Sequence, residues 1–306
     1  MPIPNSRTRE NARIIIDEAA CNGCGICVEI CKDQSLTMIN RKAIPSGQPI
    51  FGCFGCGQCM AICPREAITI EGRTMSPADL FPLPDIGATA DYSQLLSLMQ
   101  RRRSIRDFKH QEVPATLIDH VVRAAETAPM GIPPSDVHVI ILDSREKVNA
   151  FAFDFCRTLE SMQFFTSDWF MALMRPFWSK ESYRFYHDFV KPLMAKYIAS
   201  GKDGKNYVTY DAPAALYFYG TSYSDTADPI IPATYAMLAA ESLGLGTCMI
   251  GGVHPFTQKG RAAGRFRMKY NIRFKSKEGL ILLMGYPKFR FRKGISRTFA
   301  EVFHPN

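Results

Sequence analysis

Cys21-Asn-Gly-Cys24-Gly-Ile-Cys27-Val-Glu-Ile-Cys31 is followed, thirty-two residues on, by Cys53-Phe-Gly-Cys56-Gly-Gln-Cys59-Met-Ala-Ile-Cys63-Pro64. Both halves read C-x2-C-x2-C-x3-C and hold eight of the chain's 10 cysteines, leaving only Cys156 and Cys248 outside. Thiols grouped this way point to metal, not to a disulfide scaffold. Two-residue steps let three thiolates converge on one cubane, while Gly23, Gly25, Gly55 and Gly57 ease the turns that aim backbone amides at its sulfides. In iron–sulfur runs of this spacing the fourth cysteine of each motif ligates the other cluster. The expected ligand sets are therefore crossed: Cys21, Cys24, Cys27 and Cys63 for one 4Fe-4S cluster, and Cys53, Cys56, Cys59 and Cys31 for a second. Zinc also accepts paired C-x2-C steps, but three successive steps closed by x3-C, twice over, fit a tetrahedral ion poorly.

Short stretches at Arg13-Ile-Ile-Ile-Asp17 and Ala67-Ile-Thr-Ile70 flank these loops and read as strands. Over about residues 10 to 72 the sequence resembles bacterial two-cluster ferredoxins, departing from them at Lys32, where proline is usual after the first motif. The resemblance implies a ferredoxin-like domain with two 4Fe-4S clusters. So small a domain has little core of its own, so loss of the clusters is expected to unfold much of it, and oxygen sensitivity should accompany function.

The whole chain, 306 residues with 46% hydrophobic and 22% charged side chains, is long enough for two domains and ordinary for a globular protein. No apolar run reaches bilayer length and the start lacks a signal-peptide pattern, so no membrane association is expected and the default compartment is the cytoplasm. The formal net charge of +8 is uneven: residues 1 to 72 carry 7 basic and 7 acidic side chains, so the excess lies beyond them. Two clusters with their thiolates would add about −2 each by formal count. The basic surplus is better explained by a bound phosphate and an acidic donor protein than by nucleic acid.

Residues 73–90, rich in proline and without period, read as a linker between domains 1–72 and 91–306. Beyond it, Tyr92 to Gln100 has helical apolar spacing behind an Asp91 cap, and Pro114 opens a second helix that Pro129 closes. The short apolar runs Val137 to Leu142, Ala214 to Tyr219 and Leu280 to Met284 read as buried strands, which makes the domain α+β or α/β. Between the first two helices stands Arg101-Arg-Arg-Ser-Ile-Arg-Asp-Phe108. Read locally, these cations either answer the helix dipole or grip a phosphate. Gly244 and Gly246 read as a helix C-cap and turn. The aromatic stretch from Phe151 to Tyr197 is expected to supply mostly core or subunit interface, with a minority of rings left to cover a flat ligand. His138, His187 and His254 lack ligand spacing and read as structural or surface residues. No dinucleotide-binding G-x-G-x-x-G follows a strand.

Taken together, the Arg101–Phe108 segment, Glu126-Thr-Ala-Pro-Met130, Ala239-Ala-Glu-Ser-Leu-Gly-Leu-Gly-Thr-Cys-Met-Ile-Gly-Gly252 and Gly285-Tyr-Pro287 resemble the FMN-dependent nitroreductase family across about residues 91 to 300. The resemblance implies an α+β fold and a homodimer with FMN at each subunit interface. Arg102, Arg103, Ser104 and Arg106 match the family's phosphate- and ring-contacting segment, Arg297 a late phosphate-binding arginine, and Gly251 and Gly252 the backbone that approaches flavin N5. Pro129 and Met130 fall where further flavin contacts are made, but Met130-Gly-Ile-Pro-Pro-Ser-Asp-Val-His138 departs from the polar residues usual there. The combined reading is an iron–sulfur flavoprotein oxidoreductase: clusters relay electrons from a low-potential donor (ferredoxin, flavodoxin or NAD(P)H) to FMN, which reduces a nitro compound or similar small acceptor. Its rivals are a non-catalytic redox sensor or electron-transfer adaptor, and an NAD(P)H-driven flavin reductase of enoates or halogenated aromatics.

Overall fold

A computed structural model of the chain describes residues 6–8, 10–73, 79–131 and 135–304. Part of the expected linker, 74–78, and part of the divergent segment, 132–134, lie outside these.

The cysteine-rich domain opens on strand β1 (Arg13–Ile16), followed by helix α1 (Ile26–Ile30), strands β2 (Leu36–Ile39) and β3 (Lys42–Pro45), helix α2 (Gln58–Ile62) and strand β4 (Ile68–Glu71). β1 and β4 pair antiparallel with Arg13 opposite Glu71, and β2 and β3 form a hairpin. The flanking strands thus stand where alternation placed them, whereas the hairpin carries no such signal. Its turn residues Asn40 and Arg41 hold φ of 49° and 60°, a left-handed pair that an Asn–Gly dipeptide would have announced. The core is small: Ala12, Leu36, Ala43, Met60, Ile68 and Ile70, with Cys27 and Cys59 buried among them.

The second domain contains α3 (Tyr92–Arg101), α4 (Ala115–Glu126), β5 (His138–Leu142), α5 (Arg145–Glu160), α6 (Asp168–Met174), α7 (Lys180–Arg184), α8 (Lys191–Lys202), β6 (Ala214–Tyr219), α9 (Ile230–Ser242), β7 (Gly246–Ile250), α10 (Arg261–Lys269) and β8 (Gly279–Gly285). α3 starts where expected: the Asp91 carboxylate accepts from the Gln94 amide and the Gln94 side chain reaches back, a complete capping box. α4 ends at Glu126 with Thr127 as its cap, short of Pro129.

Four antiparallel strands form one sheet in the order β5-β6-β8-β7. β6 and β8 are buried along their whole lengths because helices cover both faces. On one face Leu216, Phe218 and Leu282 pack with Ile118 and Val121 of α4 and Ala233 and Ala236 of α9. On the other, Tyr217, Ile281 and Leu283 meet Phe151, Phe155 and Leu159 of α5 and Phe266 of α10. Each such large side chain contributes about 1.5–3 kcal/mol by leaving water.

Two expectations need correction. β5 is an edge strand, so Val139 and Ile141 face outward at 38% and 42% exposure and are not buried. Gly244, with φ 78°, does end a helix, but Gly246 begins strand β7. Among the aromatics expected to supply core or subunit interface, Phe151 and Phe155 are core, and Phe164, Phe165, Trp169, Phe177, Phe185 and Phe189 are exposed on the single chain.

One buried charge anchors α5 to α10. Burial alone would raise the Asp154 carboxyl, but Lys269, the Tyr270 hydroxyl at 2.5 Å and Arg157 hold it below its ordinary value. A carboxyl depressed in the folded state stabilises fully above its unfolded value of about 3.9 and loses that contribution as pH falls through the folded one. Asp154→Asn is therefore expected to cost about 1–3 kcal/mol at pH 7. In urea melts at successive pH values the gap to wild type should narrow as the pH drops below about 4.

Candidate functional site

The cysteines gather in two crossed quartets. Cys21, Cys24, Cys27 and Cys63 line one cavity together with Ala43, Pro64 and Ile68. Around the other quartet, burial first and then the neighbouring thiols Cys53, Cys56 and Cys31 push the Cys59 thiol up to about 12. Cys27 is likewise raised by burial, with Cys24 and Cys63 adding to it.

Local geometry follows from the loops. Gly23 has φ of 74°, and a Cβ there would lie 2.1 Å from the Arg41 carbonyl, so no other residue lets the first loop cross the β2–β3 turn. Cys27 and Cys59 sit on α1 and α2, and Cys31 and Cys63 stand just past the ends of those helices in extended backbone. The Ala67 amide points at the Cys63 sulfur at 3.3 Å, and the Cys21 thiol is lowered by the Ala43 and Gly23 amides. Donors aimed at sulfur stabilise thiolate, the ligating form. Among the described residues no three His, Cys, Asp or Glu side chains converge at the spacing of a single ion.

In the second domain the Arg101–Phe108 segment leaves the end of α3 and runs beside the start of β7. Ser104 bridges Thr247, and the Ile105 amide donates to the Thr247 carbonyl at 2.8 Å. Gly246 makes this approach possible, since a Cβ there would fall 2.5 Å from Ile105 Cγ1. Gly246→Ala is therefore expected to push the arginine segment outward at a cost of about 1–3 kcal/mol. Thermal melting and FMN titration of the variant, both weakened, check it.

The arginines converge. Burial first, then Arg297 and Arg103, lower the Arg102 guanidinium. The 294–297 segment reaches this point from the chain's far end, because Gly294 passes so near Arg103 that a Cβ would lie 2.6 Å from Nη2. Arg103 Nη1 donates to the Gln100 and Arg102 carbonyls at 3.0 and 2.7 Å. Arg106 lies over the Tyr210 ring at 5.8 Å and, with Arg102, beside the buried Cys248. No carboxylate lies within 4.0 Å of Arg102, Arg103 or Arg297 among the described residues; Glu241 only approaches Arg102. Thr247, fully buried at this spot, has its Oγ1 without a hydrogen-bond partner. Thr247 was not singled out in the sequence, where nothing distinguishes it from any strand threonine.

Gly251 and Gly252 leave β7 at the opposite end of the sheet, and Pro129 and Met130 precede Gly131, which meets the loop after β6. Gly251 and Gly252 follow β7 and are exposed, with nothing within 4 Å of where a Gly252 Cβ would be. Met130 is 40% exposed, and the next amide, Gly131, donates to the buried Asp228 just before α9 at 3.0 Å. Four residue steps lead from Thr247 to Gly251, roughly 13 Å at the usual rise.

Residues 99–286 match the nitroreductase family, and residues 20–68 match the 4Fe-4S dicluster domain. The chain belongs to the nitroreductase family. As a nitroreductase-family protein it carries a 4Fe-4S domain ahead of the family fold. Similar solved structures include a nitroreductase with bound FMN from Bacteroides fragilis, at 14% identity and TM-score 0.49, covering 69% of this chain and 99% of that one. An FMN-dependent nitroreductase from Clostridium difficile R20291 has 21% identity and TM-score 0.44, covering 69% and 99%. A BluB-like flavoprotein from Clostridium difficile 630 has 16% identity and TM-score 0.45, covering 67% and 94%. No curated protein matches the chain. No helix among the described residues is long and apolar enough to cross a membrane.

Proposed function

We propose that this nitroreductase-family chain is an iron–sulfur flavoprotein reductase. Two 4Fe-4S clusters would occupy the crossed quartets, and FMN would place its phosphate on Arg102, Arg103 and Arg297 with its ring towards Gly251 and Gly252. Bound there, the clusters supply one-electron relay and the flavin pairs those electrons for a two-electron acceptor, with a nitro compound first in line ahead of an activated double bond or a carbon–halogen bond.

The observation that carries this reading is an arginine cluster, half-buried at Arg102 and Arg103, with no carboxylate within 4.0 Å of Arg102, Arg103 or Arg297 among the described residues, in the same chain as two cysteine quartets. Converging guanidinium groups repel one another unless an anion joins them, and forked N–H donors suit a phosphate. Thr247 Oγ1 is a further polar atom without a partner, buried where the arginine segment crosses β7 at Ser104. The open backbone at Gly251 and Gly252 lets amides approach a ring edge that a side chain would block.

The long exposed arm Phe289, Phe291, Ile295, Phe299, Val302 and Phe303, with Phe81, Leu83 and Ile86, supports a homodimer that covers these side chains. Anaerobic reconstitution with iron, sulfide and FMN tests the whole reading. The loaded protein should sediment at twice 34.4 kDa. Mixed with a reduced low-potential ferredoxin, it should bleach its flavin and then turn over a nitroaromatic repeatedly. Flavin that stays oxidised beside reduced clusters refutes the relay, and a single turnover only would favour the sensor or adaptor.

A further inference from the structure

The two cysteine quartets are not equivalent with respect to the second domain. β1 and β4 form a ladder with one quartet at each end. At one end the Asp17 amide and carbonyl engage Ala67 and Cys21, and Ala67 and Ile68 border the Cys21/Cys24/Cys27/Cys63 cavity. At the other, the Ala12 amide donates to the Cys53 carbonyl at 2.7 Å, and Arg73 Nη1 donates to the Glu10 carbonyl at 3.2 Å while its side chain packs against Gly55. The ends are roughly 17 Å apart, five residues at the strand rise. Both connections to the second domain, the hydrogen-bonded one through Ser6, upstream of Ala12, and the covalent one after Arg73, start from the Cys53 end.

The upstream route is latched. Asp136, 5% exposed, accepts the Ser6 amide at 3.0 and 3.1 Å, the Ser6 hydroxyl, and the Thr221 hydroxyl at 2.6 Å. Arg7 sits close enough to His138 to oppose its protonation, after burial and alongside Arg273, with Asp136 acting the other way. Asp136 leads into β5 and Thr221 follows β6, at the sheet end that also carries Gly251 and Gly252. Only β6 and β8 intervene between β5 and β7, so Asp136 is roughly 14 Å across the strands from Gly251. The 221–228 loop ties the same spot to Met130 and Gly131, because Asp228 accepts the Gly131 and Asp225 amides at 3.0 Å each. Ser6 to Ala12 spans at most about 20 Å of chain.

We infer that Asp136 and the strap it holds, anchored at Ser6 and at Ala12, are positioning elements. They hold the Cys31/Cys53/Cys56/Cys59 quartet towards the flavin-facing end of the second domain and leave the Cys21/Cys24/Cys27/Cys63 quartet outward, towards an external donor. The inference rests on the function proposed above and adds an order to it. One electron at a time enters from a reduced ferredoxin-type protein at the outer quartet, which that protein reduces. It leaves from the inner quartet, which is reoxidised as the flavin gains it. Two such transfers, with protons from solvent, complete one flavin reduction.

The test compares the full chain with one lacking residues 1–8 and with Asp136→Ala. The truncation removes no cysteine and no member of the arginine cluster, so iron and FMN content should match wild type. Amide hydrogen exchange should then quicken at residues 50–56 and 221–228 and stay unchanged at 21–27, whether or not cofactors are loaded. In loaded protein, flavin reduction by reduced ferredoxin should slow by roughly tenfold or more, since the inner quartet is then joined to the second domain through the covalent connection alone. Direct flavin reduction by borohydride should not change. Should Asp136→Ala prove unstable, the truncated chain alone decides. Unchanged exchange and an unchanged transfer rate overturn the strap, and quickened exchange at 21–27 in place of 50–56 overturns the order of the quartets. If wild type itself transfers nothing from ferredoxin to flavin, the proposed function fails, and the exchange result still judges the strap.

Discussion

Stripping iron from this chain with a chelator under anaerobic conditions is expected to unfold residues 10–73 while the second domain stays folded. The domain's buried core amounts to a few apolar side chains, two of its members, Cys27 and Cys59, are proposed ligands, and Cys21, Cys31, Cys53 and Cys63 pack against it. Its strands are four residues each and its two helices five. Pieces of that length have no independent stability. A domain of this size is marginal even with an ordinary core, so ligand bonds are its folding energy. The second domain rests on two apolar layers around β6 and β8 that include no cysteine quartet. Thermal melting should therefore change from two transitions to one on chelation, and amide exchange of residues 10–73 should collapse to the rate of an unfolded chain. An iron-free domain with protected β1 and β4 amides would show that the apolar core suffices.

How much of this was readable beforehand depends on how far apart the cooperating residues lie in sequence. The grouping of the cysteines was legible, because covalent spacing constrains three of each set and the repeat supplies the fourth. α3 was legible from Asp91 and its apolar spacing, a local signal. β7 was not, since Gly246-Thr-Cys-Met-Ile250 begins with a residue that usually breaks strands; only the approach of Ile105 explains the glycine. The burial of β5 was misjudged because an edge and a central strand can share the same apolar run, and only neighbours distinguish them. The Asp136 latch lies beyond any local reading, joining Ser6, Asp136 and Thr221 from three distant stretches. The arginine site is intermediate: Arg102 to Arg106 stood out as a cluster, but Arg297 entered through family resemblance, and its nearness to Arg102 appears only in the folded chain.

That nearness makes an expectation with opposite signs in the two states of the protein. In the flavin-free chain Arg102 is a cost: burial removes water from its guanidinium, and Arg297 and Arg103 add repulsion. Arg102→Ala should therefore leave the melting temperature of the apoprotein unchanged or raise it. With FMN the account reverses, because a charge-assisted bond to phosphate contributes about 1.5–3 kcal/mol. The variant should bind FMN roughly 10- to 100-fold more weakly, at about 1.4 kcal/mol per decade. Inorganic phosphate alone should stabilise the wild-type apoprotein by mass action and do so less in the variant. Arg297→Ala should reproduce the pattern, whereas Arg157→Ala, whose partner is Asp154, should lower apoprotein stability and leave flavin affinity alone. If Arg102→Ala instead destabilises the apoprotein and binds FMN as tightly as wild type, the cluster is a structural cap on α3 and the phosphate lies elsewhere.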